Sequence, residues 1–146
     1  MNYLGKVVPS GSINIEEIIN SFDKDDDIGA ITTFTGIVRQ ISDKSDKTVV
    51  ALEVEAWEER ANDTMQEIAK KILNNHNLIN IGIVHLTGYL NIGDPIVYIV
   101  IKSIHRKEAF VALEEAILAY KQGSPVWKKE IYADGSSNWI TTASKV

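Results

Sequence analysis

Three stretches of the sequence hold side chains whose type and spacing could do chemistry. His105-Arg106-Lys107 falls where a β-rich run gives way to helical spacing. The first backbone N–H groups of a helix lack partners within it, and the helix dipole is positive there. Cations are disfavoured at that end unless an anion sits among them, and phosphate is the usual one. The alternative is that both side chains bend away to solvent or pair with a nearby carboxylate. Arg39 stands at the end of another β-rich run, after Gly36-Ile37-Val38. From there it can reach into a cleft or make a surface salt bridge. The third stretch carries Lys121, Lys128 and Lys129. If residues 126–132 form a strand, alternation puts Lys128 with Val126 and Glu130 on one face and Lys129 with Trp127 on the other. Only one of that pair can then share a site with Lys121. A partly buried lysine among other cations has a lowered pKa and can act as a nucleophile or proton carrier. A lysine in the last turn of a helix, as Lys121 is, also satisfies the dipole without any catalytic role.

Other polar residues read as structural. Glu53 and Glu55 share one face of a strand, as paired acid–base carboxylates would, but equally as the polar side of an amphipathic strand. His76 and His85 have no ligand-like spacing to each other or to His105, so no metal is expected. The acidic run Asp23 to Asp27 fits a solvated turn. There is no cysteine in the 146 residues, no glycine-rich phosphate loop and no serine nucleophile elbow. Fifteen Lys and Arg against twenty Asp and Glu give a net charge of −5, which argues against general nucleic-acid binding and makes any anion site a local one. The longest apolar run, Ile96 to Ile101, is far too short to cross a bilayer. A cytoplasmic protein without membrane, nucleic acid or cofactor is expected.

The elements that must position these residues follow from periodicity. Ile15, Ile18, Ile19 and Phe22 keep helical spacing behind a capping pair, Asn14 and Glu17, which predicts a helix over 14–22. Residues 29–39 and 49–57 read as strands with a polar loop, 40–48, between them. Ala61, Met65, Ile68, Ala69, Ile72 and Leu73 predict the longest helix, 58–75. Strands are expected at 79–87 and 96–103, joined through Gly88, Gly93 and Pro95, then a helix over 107–120 and an extended segment 126–132. Asp134-Gly135 marks a hairpin into a last short strand around Trp139. The order suggests a single α+β domain over 1–146 rather than a doubly wound parallel sheet.

In sequence order, the stretches Gly29-Ala30 with Phe34-Thr35-Gly36-Ile37-Val38-Arg39, Leu52-Glu53-Val54-Glu55-Ala56, and Gly88-Tyr89-Leu90-Asn91-Ile92-Gly93 resemble the MoaE family, the large catalytic subunits of molybdopterin synthase. The strongest matches are Ser103 to Phe110 and Tyr120-Lys121 with Pro125 to Glu130. Each alone is weak, but the ordered set is specific and reaches from residue 29 to Trp139. The resemblance implies an α/β hammerhead-like fold with an additional antiparallel β subdomain. It implies a homodimer at the core of a heterotetramer, flanked by two copies of a small ubiquitin-like sulfur carrier. The carrier's Gly-Gly C-terminus, as a thiocarboxylate, would enter a pocket and give sulfur to cyclic pyranopterin monophosphate, making the molybdopterin dithiolene and opening the cyclic phosphate. By the same resemblance Lys121 and Lys128 are catalytic, with Lys121 next to the carrier's terminal carbonyl, and Arg39, His105 and Arg106 hold the anionic substrate. The lack of cysteine is then natural, because the sulfur arrives on the partner. The chain departs from the family's usual residues at Leu86 (Arg), Asp94 (often Glu) and Val54 (aromatic), and Lys145 is the last cation of the sequence. A catalytically silent adaptor for a ubiquitin-like tail is the alternative. Retention of both lysines with the His-Arg pair favours the enzyme.

Overall fold

A computed structural model describes residues 1–140; Lys145 lies outside that range. The chain runs β1 (Tyr3–Pro9), α1 (Ile15–Asn20), β2 (Ala30–Ile37), β3 (Val49–Ala56), α2 (Glu58–Asn75), β4 (Asn80–Asn91), β5 (Pro95–Ser103), α3 (Arg106–Gly123), β6 (Val126–Tyr132) and β7 (Ser137–Ile140). Each element expected from periodicity is present, and the α+β class with an additional antiparallel layer is observed. At α1 the Asn14 side chain accepts the Glu17 N–H at 2.9 Å, one half of the expected capping pair.

Two findings go beyond the periodicity. Residues 3–9 form a strand that pairs in parallel with β4, from Tyr3 opposite Ile81 to Pro9 opposite Thr87. Gly5 and Pro9 interrupt any β-like pattern there, so only the pairing makes the segment a strand. The other finding is the length of β4, which continues past Thr87 through Gly88, at φ 106°, to Asn91. Glycine enters this left-handed region without the Cβ clash other residues suffer. The turn lets one strand serve two layers: residues 80–85 pair with β5 and residues 88–91 with β3. The strand order is β2-β5-β4-β3-β6-β7, with β1 also on β4.

The first layer is covered on both faces. Ile81 and Ile83 of β4, with Val97, Ile99 and Ile101 of β5, pack against α2 and α3. The alternate residues Val84, Leu86, Tyr98 and Val100 pack against Ile18 and Phe22 on the α1 side. A strand buried on both faces reads as a continuous apolar run, which is why β5 shows no alternation in sequence. Lys102 is the exception on β5. Its ammonium donates to the Ile19 carbonyl at 2.7 Å and lies 5.5 Å from the centre of the Phe22 ring, so it meets the negative end of α1. A third, smaller core of Val38, Leu52, Val54 and Leu90 lies on one face of the second layer. Among the described residues no helix is long and apolar enough to cross a membrane.

Helix α2 seals the free edge of β1. Asn62 Oδ1 accepts the Val7 N–H at 2.8 Å, and Gln66 Oε1 accepts the Gly5 N–H at 2.7 Å, so two edge donors are satisfied by side chains of the helix. The approach is close enough that a Cβ on Gly5 would collide with the Met65 carbonyl and the Gln66 amide. Because the obstacle is helix backbone, it has no rotamer to escape into. Gly5→Ala is therefore expected to destabilise the fold by about 3 kcal/mol, the upper end for overpacking. For a chain of this size that lowers Tm by roughly 6–12 °C, read from thermal unfolding followed by circular dichroism.

Candidate active site

Lysine 128 is placed by the β3–β6 register. It stands opposite Val54 of β3 and Ile140 of β7, on the face that holds the small third core. Its neighbour Lys129 points the other way, pairing with Glu53 at 3.0 Å and lying 5.3 Å from the centre of the Trp139 ring. Strand alternation thus separates the two lysines as the sequence implied. Glu53 belongs to the outer, ion-paired face, and it makes no acid–base pair with Glu55.

Burial pushes the Lys128 ammonium down to about 8, and the positive charge of Lys121 adds to the effect. Lys121, exposed in the last turn of α3, is therefore electrostatically joined to Lys128 although the two come from different elements. Tyr120, next to it, is buried and pushed up to about 12, so it keeps its proton. The Tyr120 ring meets the edge of His85, with centroids 5.7 Å apart and planes at 66°. His85 on β4 is 1% exposed, and it is pushed down to about 3 by burial and, second, by the charge of Lys128. From sequence, His85 is weighed only as a metal ligand, and rejected, and Tyr120 only within the Tyr120-Lys121 motif. Nothing local in the sequence announces that His85 packs on Tyr120 and feels the charge of Lys128.

Arg39 lines the same cleft as Lys128, a space of about 160 Å³ whose wall includes Ile37, Val38, Leu52 and Glu130. Glu130 is a buried carboxylate; one of its oxygens accepts from Ser42 Oγ at 2.6 Å and from the Tyr132 hydroxyl at 2.9 Å. Those bonds tie the 40–48 loop to β6. Arg39 also makes the surface ion pair that was its plainer reading, at 2.8 Å from Asp43. Both partners are exposed, so the pair holds Arg39 only weakly and leaves it able to turn to an anion.

His105 and Arg106 lie elsewhere. His105 is the N-cap of α3 and makes no side-chain capping bond, which leaves first-turn N–H groups without a side-chain acceptor. With Arg106, Lys107 and Glu108 it lines an open depression of about 590 Å³. Arg106 and Lys121 are fifteen residues apart on one helix, which at 1.5 Å per residue is about 22 Å. Within one chain the structure therefore brings together Arg39, Lys121 and Lys128, and sets His105 and Arg106 at the far end of α3. Among the described residues no three His, Asp or Glu side chains are grouped to hold a metal ion. Of the three positions that depart from the family pattern, Leu86 and Val54 are buried in apolar clusters, and the Asp94 carboxylate accepts the Asn91 N–H at 2.8 Å in the β4–β5 turn.

Comparison with known proteins gives the context of this arrangement. The MoaE protein family model matches residues 8–123. The molybdopterin synthase catalytic subunit of Bacillus subtilis (strain 168) is 42% identical over 128 residues, covering 88% of this chain and 79% of the relative. The crystal structure of molybdopterin synthase from Staphylococcus aureus superposes with a TM-score of 0.83 at 34% identity, covering 93% of this chain and 96% of that one. A protein–protein complex of subunits 1 and 2 of molybdopterin-converting factor from Helicobacter pylori shares the fold, with a TM-score of 0.68 at 21% identity, over 93% of this chain and 88% of that one. The extent of the family match and the identity to the Bacillus relative place this chain in the MoaE family, as a molybdopterin synthase catalytic subunit and an enzyme of molybdenum cofactor biosynthesis.

Proposed function

We propose that the chain transfers sulfur from the C-terminal thiocarboxylate of a small ubiquitin-like carrier to cyclic pyranopterin monophosphate, forming the molybdopterin dithiolene. In each transfer a C–S bond forms on the pterin and the carrier's acyl C–S bond breaks. A C–O bond breaks at the pterin carbon that gains sulfur, opening the cyclic phosphate in one transfer and releasing water in the other. Hydrolysis of the acyl C–S bond leaves the carrier with a carboxylate whose second oxygen comes from water. Both reactants are anions. The observation that carries the reading is the half-desolvated ammonium of Lys128 beside Lys121, in a protein that is acidic as a whole. Two cations in a low-dielectric cleft favour a bound thiocarboxylate and the negative charge that develops on its carbonyl oxygen. An ammonium with a pKa of about 8 can also give up a proton near neutral pH. A silent adaptor has no need of such a costly group. The two-subunit Helicobacter structure supports a small partner subunit for this chain.

The substrate site needs a second copy of the chain. One small pterin cannot bridge the length of α3, so His105 and Arg106 serve the Lys121–Lys128 site only if they come from the partner of a homodimer. In this reading Arg39 and the partner's α3 N-terminus hold the phosphate, and Lys121 lies next to the carrier's terminal carbonyl. Phe110, Val111 and Leu118, exposed apolar residues along α3, suit a helix that is covered between its two working ends.

The direct test is incubation with thiocarboxylated carrier and cyclic pterin, with detection of the dithiolene. Lys121→Ala is expected to keep its fold by circular dichroism and lose most of the product yield; near-normal yield in a folded variant removes Lys121 from the mechanism. Mixing Lys128→Ala with Arg106→Ala protein, each inactive alone, is expected to restore about a quarter of wild-type activity, because half of randomly paired C2 dimers hold one intact composite site. No recovery on mixing would assign both residues to the same protomer's site. Lys128→Met is expected to abolish transfer and yet stabilise the protein by about 1–2 kcal/mol at pH 7, since it removes a partly buried charge and its repulsion by Lys121. The stability difference from wild type should shrink as pH rises through 8 towards 10.5. Over that range native Lys128 has lost its proton while the unfolded chain still binds one, so wild-type stability climbs with pH.

A further inference from the structure

Charged side chains line the cleft of Lys128 in two groups, the cations Arg39, Lys44 and Lys128 and the carboxylates Asp43 and Glu130. The two carboxylates differ in what holds them. Glu130 is buried and accepts from the hydroxyls of Ser42 and Tyr132. Asp43 is exposed, and the partner of its carboxylate is the Arg39 guanidinium at 2.8 Å. The 40–48 loop keeps its shape by other bonds. The Val49 N–H donates to the Gln40 carbonyl at 2.9 Å and closes the base of the loop. Ser42 Oγ accepts the Lys44 N–H at 3.0 Å while it donates to Glu130. Lys47 reaches Asp134 at 3.0 Å and Ser136 Oγ at 2.9 Å on the β6–β7 hairpin. Asp43 and Lys44 are thus held at the cleft from both sides, and the Asp43 carboxylate takes part in none of those anchors. Among the described residues no carboxylate lies within ion-pair distance of the Lys44 ammonium.

We infer that Asp43 is a specificity-determining residue, which occupies the Arg39 guanidinium until the cyclic phosphate of the pterin displaces it and is received between Arg39 and Lys44. The pair that breaks is weak, because both partners are more than half exposed. The contact that replaces it is stronger. A phosphodiester has two free oxygens, which match two parallel N–H donors of a guanidinium, and Lys44 adds a second charge. An anion that reaches only one of the two cations gains too little to replace a carboxylate already in place, so the pair also selects against small anions. The displaced carboxylate turns to solvent while Ser42 and Lys47 keep the loop where it is.

This inference rests on the sulfur-transfer reading, and the experiment keeps the two apart by measuring binding without turnover. Cyclic pterin is titrated calorimetrically into the complex of the chain with carrier that ends in a plain carboxylate, so that no sulfur can move. Asp43→Asn is expected to tighten pterin binding about threefold, the scale of an exposed ion pair. In turnover with thiocarboxylated carrier the KM for pterin should fall by the same factor, with the KM for carrier unchanged. Asp43→Glu, which keeps a carboxylate for Arg39, should stay near wild type. Lys44→Ala is expected to weaken pterin binding roughly fivefold, the effect of one charged contact to phosphate. In an Arg39→Ala background Asp43→Asn should change pterin affinity hardly at all, because the pair it breaks no longer exists. Unchanged or weaker binding in Asp43→Asn overturns the inference, as does an equal gain in the Arg39→Ala background, which would make Asp43 a general negative charge near the site. A Lys44→Ala effect on carrier alone, or no pterin binding by the wild-type complex, also overturns it. Pterin binding that follows the expected pattern with no dithiolene formed would instead overturn the sulfur-transfer reading and leave the role of Asp43 standing.

Discussion

Everything in the described chain hangs on β4, a strand that must satisfy its backbone in two sheets while both of its faces are buried. Six successive residues, Ile81 to Leu86, are each essentially inaccessible to solvent or nearly so. A backbone so enclosed has no water to bond, so β1, β5 and β3 have to supply the partners. From that requirement follow the parallel addition of β1, the turn at Gly88 and the clamp of α2 side chains on the outer edge of β1. The same strand carries His85, whose ring packs on Tyr120 next to Lys121.

The site is electrostatically expensive, and its composition reflects that. Lys128 is held where its charge is disfavoured, close to a second lysine, in a protein whose sum of charges is negative. In the proposed reaction this partly buried charge is what the site uses, at a cost to stability that an apolar residue in the same place would remove. The stabilising parts lie around it: Glu130 is held by Ser42 and Tyr132, and the outer face of the same strand is closed by the Lys129–Glu53 pair. The carboxylate that gives the loop its anchor also forms the wall against which an anionic substrate would have to sit. This combination favours a ligand carrying its own hydrogen-bonding groups over a bare anion.

Helix α3 works as a ruler. Its apolar face holds the main core through Ala109, Ala112, Ala116 and Tyr120, small residues that let it lie close to the sheet. Its length sets the distance between the N-terminus that carries His105 and Arg106 and the C-terminus that carries Lys121. The His76–Glu115 contact joins the C-terminus of α2 to the middle of α3. With that separation fixed, a second copy of the chain is the simplest way to bring the two ends to one substrate.

The sequence by itself determined the elements and the faces. Helical spacing placed α2 and α3, β-rich runs placed β2, β3, β5 and β6, and alternation along β6 already separated Lys128 from Lys129. Local patterns suffice for this because they report on neighbours a few residues apart. The ordered motifs were specific enough to identify the family, which no single spacing could do. What the tertiary structure decided was which residues meet. The strand at Tyr3–Pro9 exists because β4 and α2 satisfy its backbone, and the Lys128 ammonium is depressed because β6 lies between β3 and β7 while α3 brings the charge of Lys121 to bear on it. Burial and charge coupling depend on residues far apart in the chain, and periodicity carries no information about them.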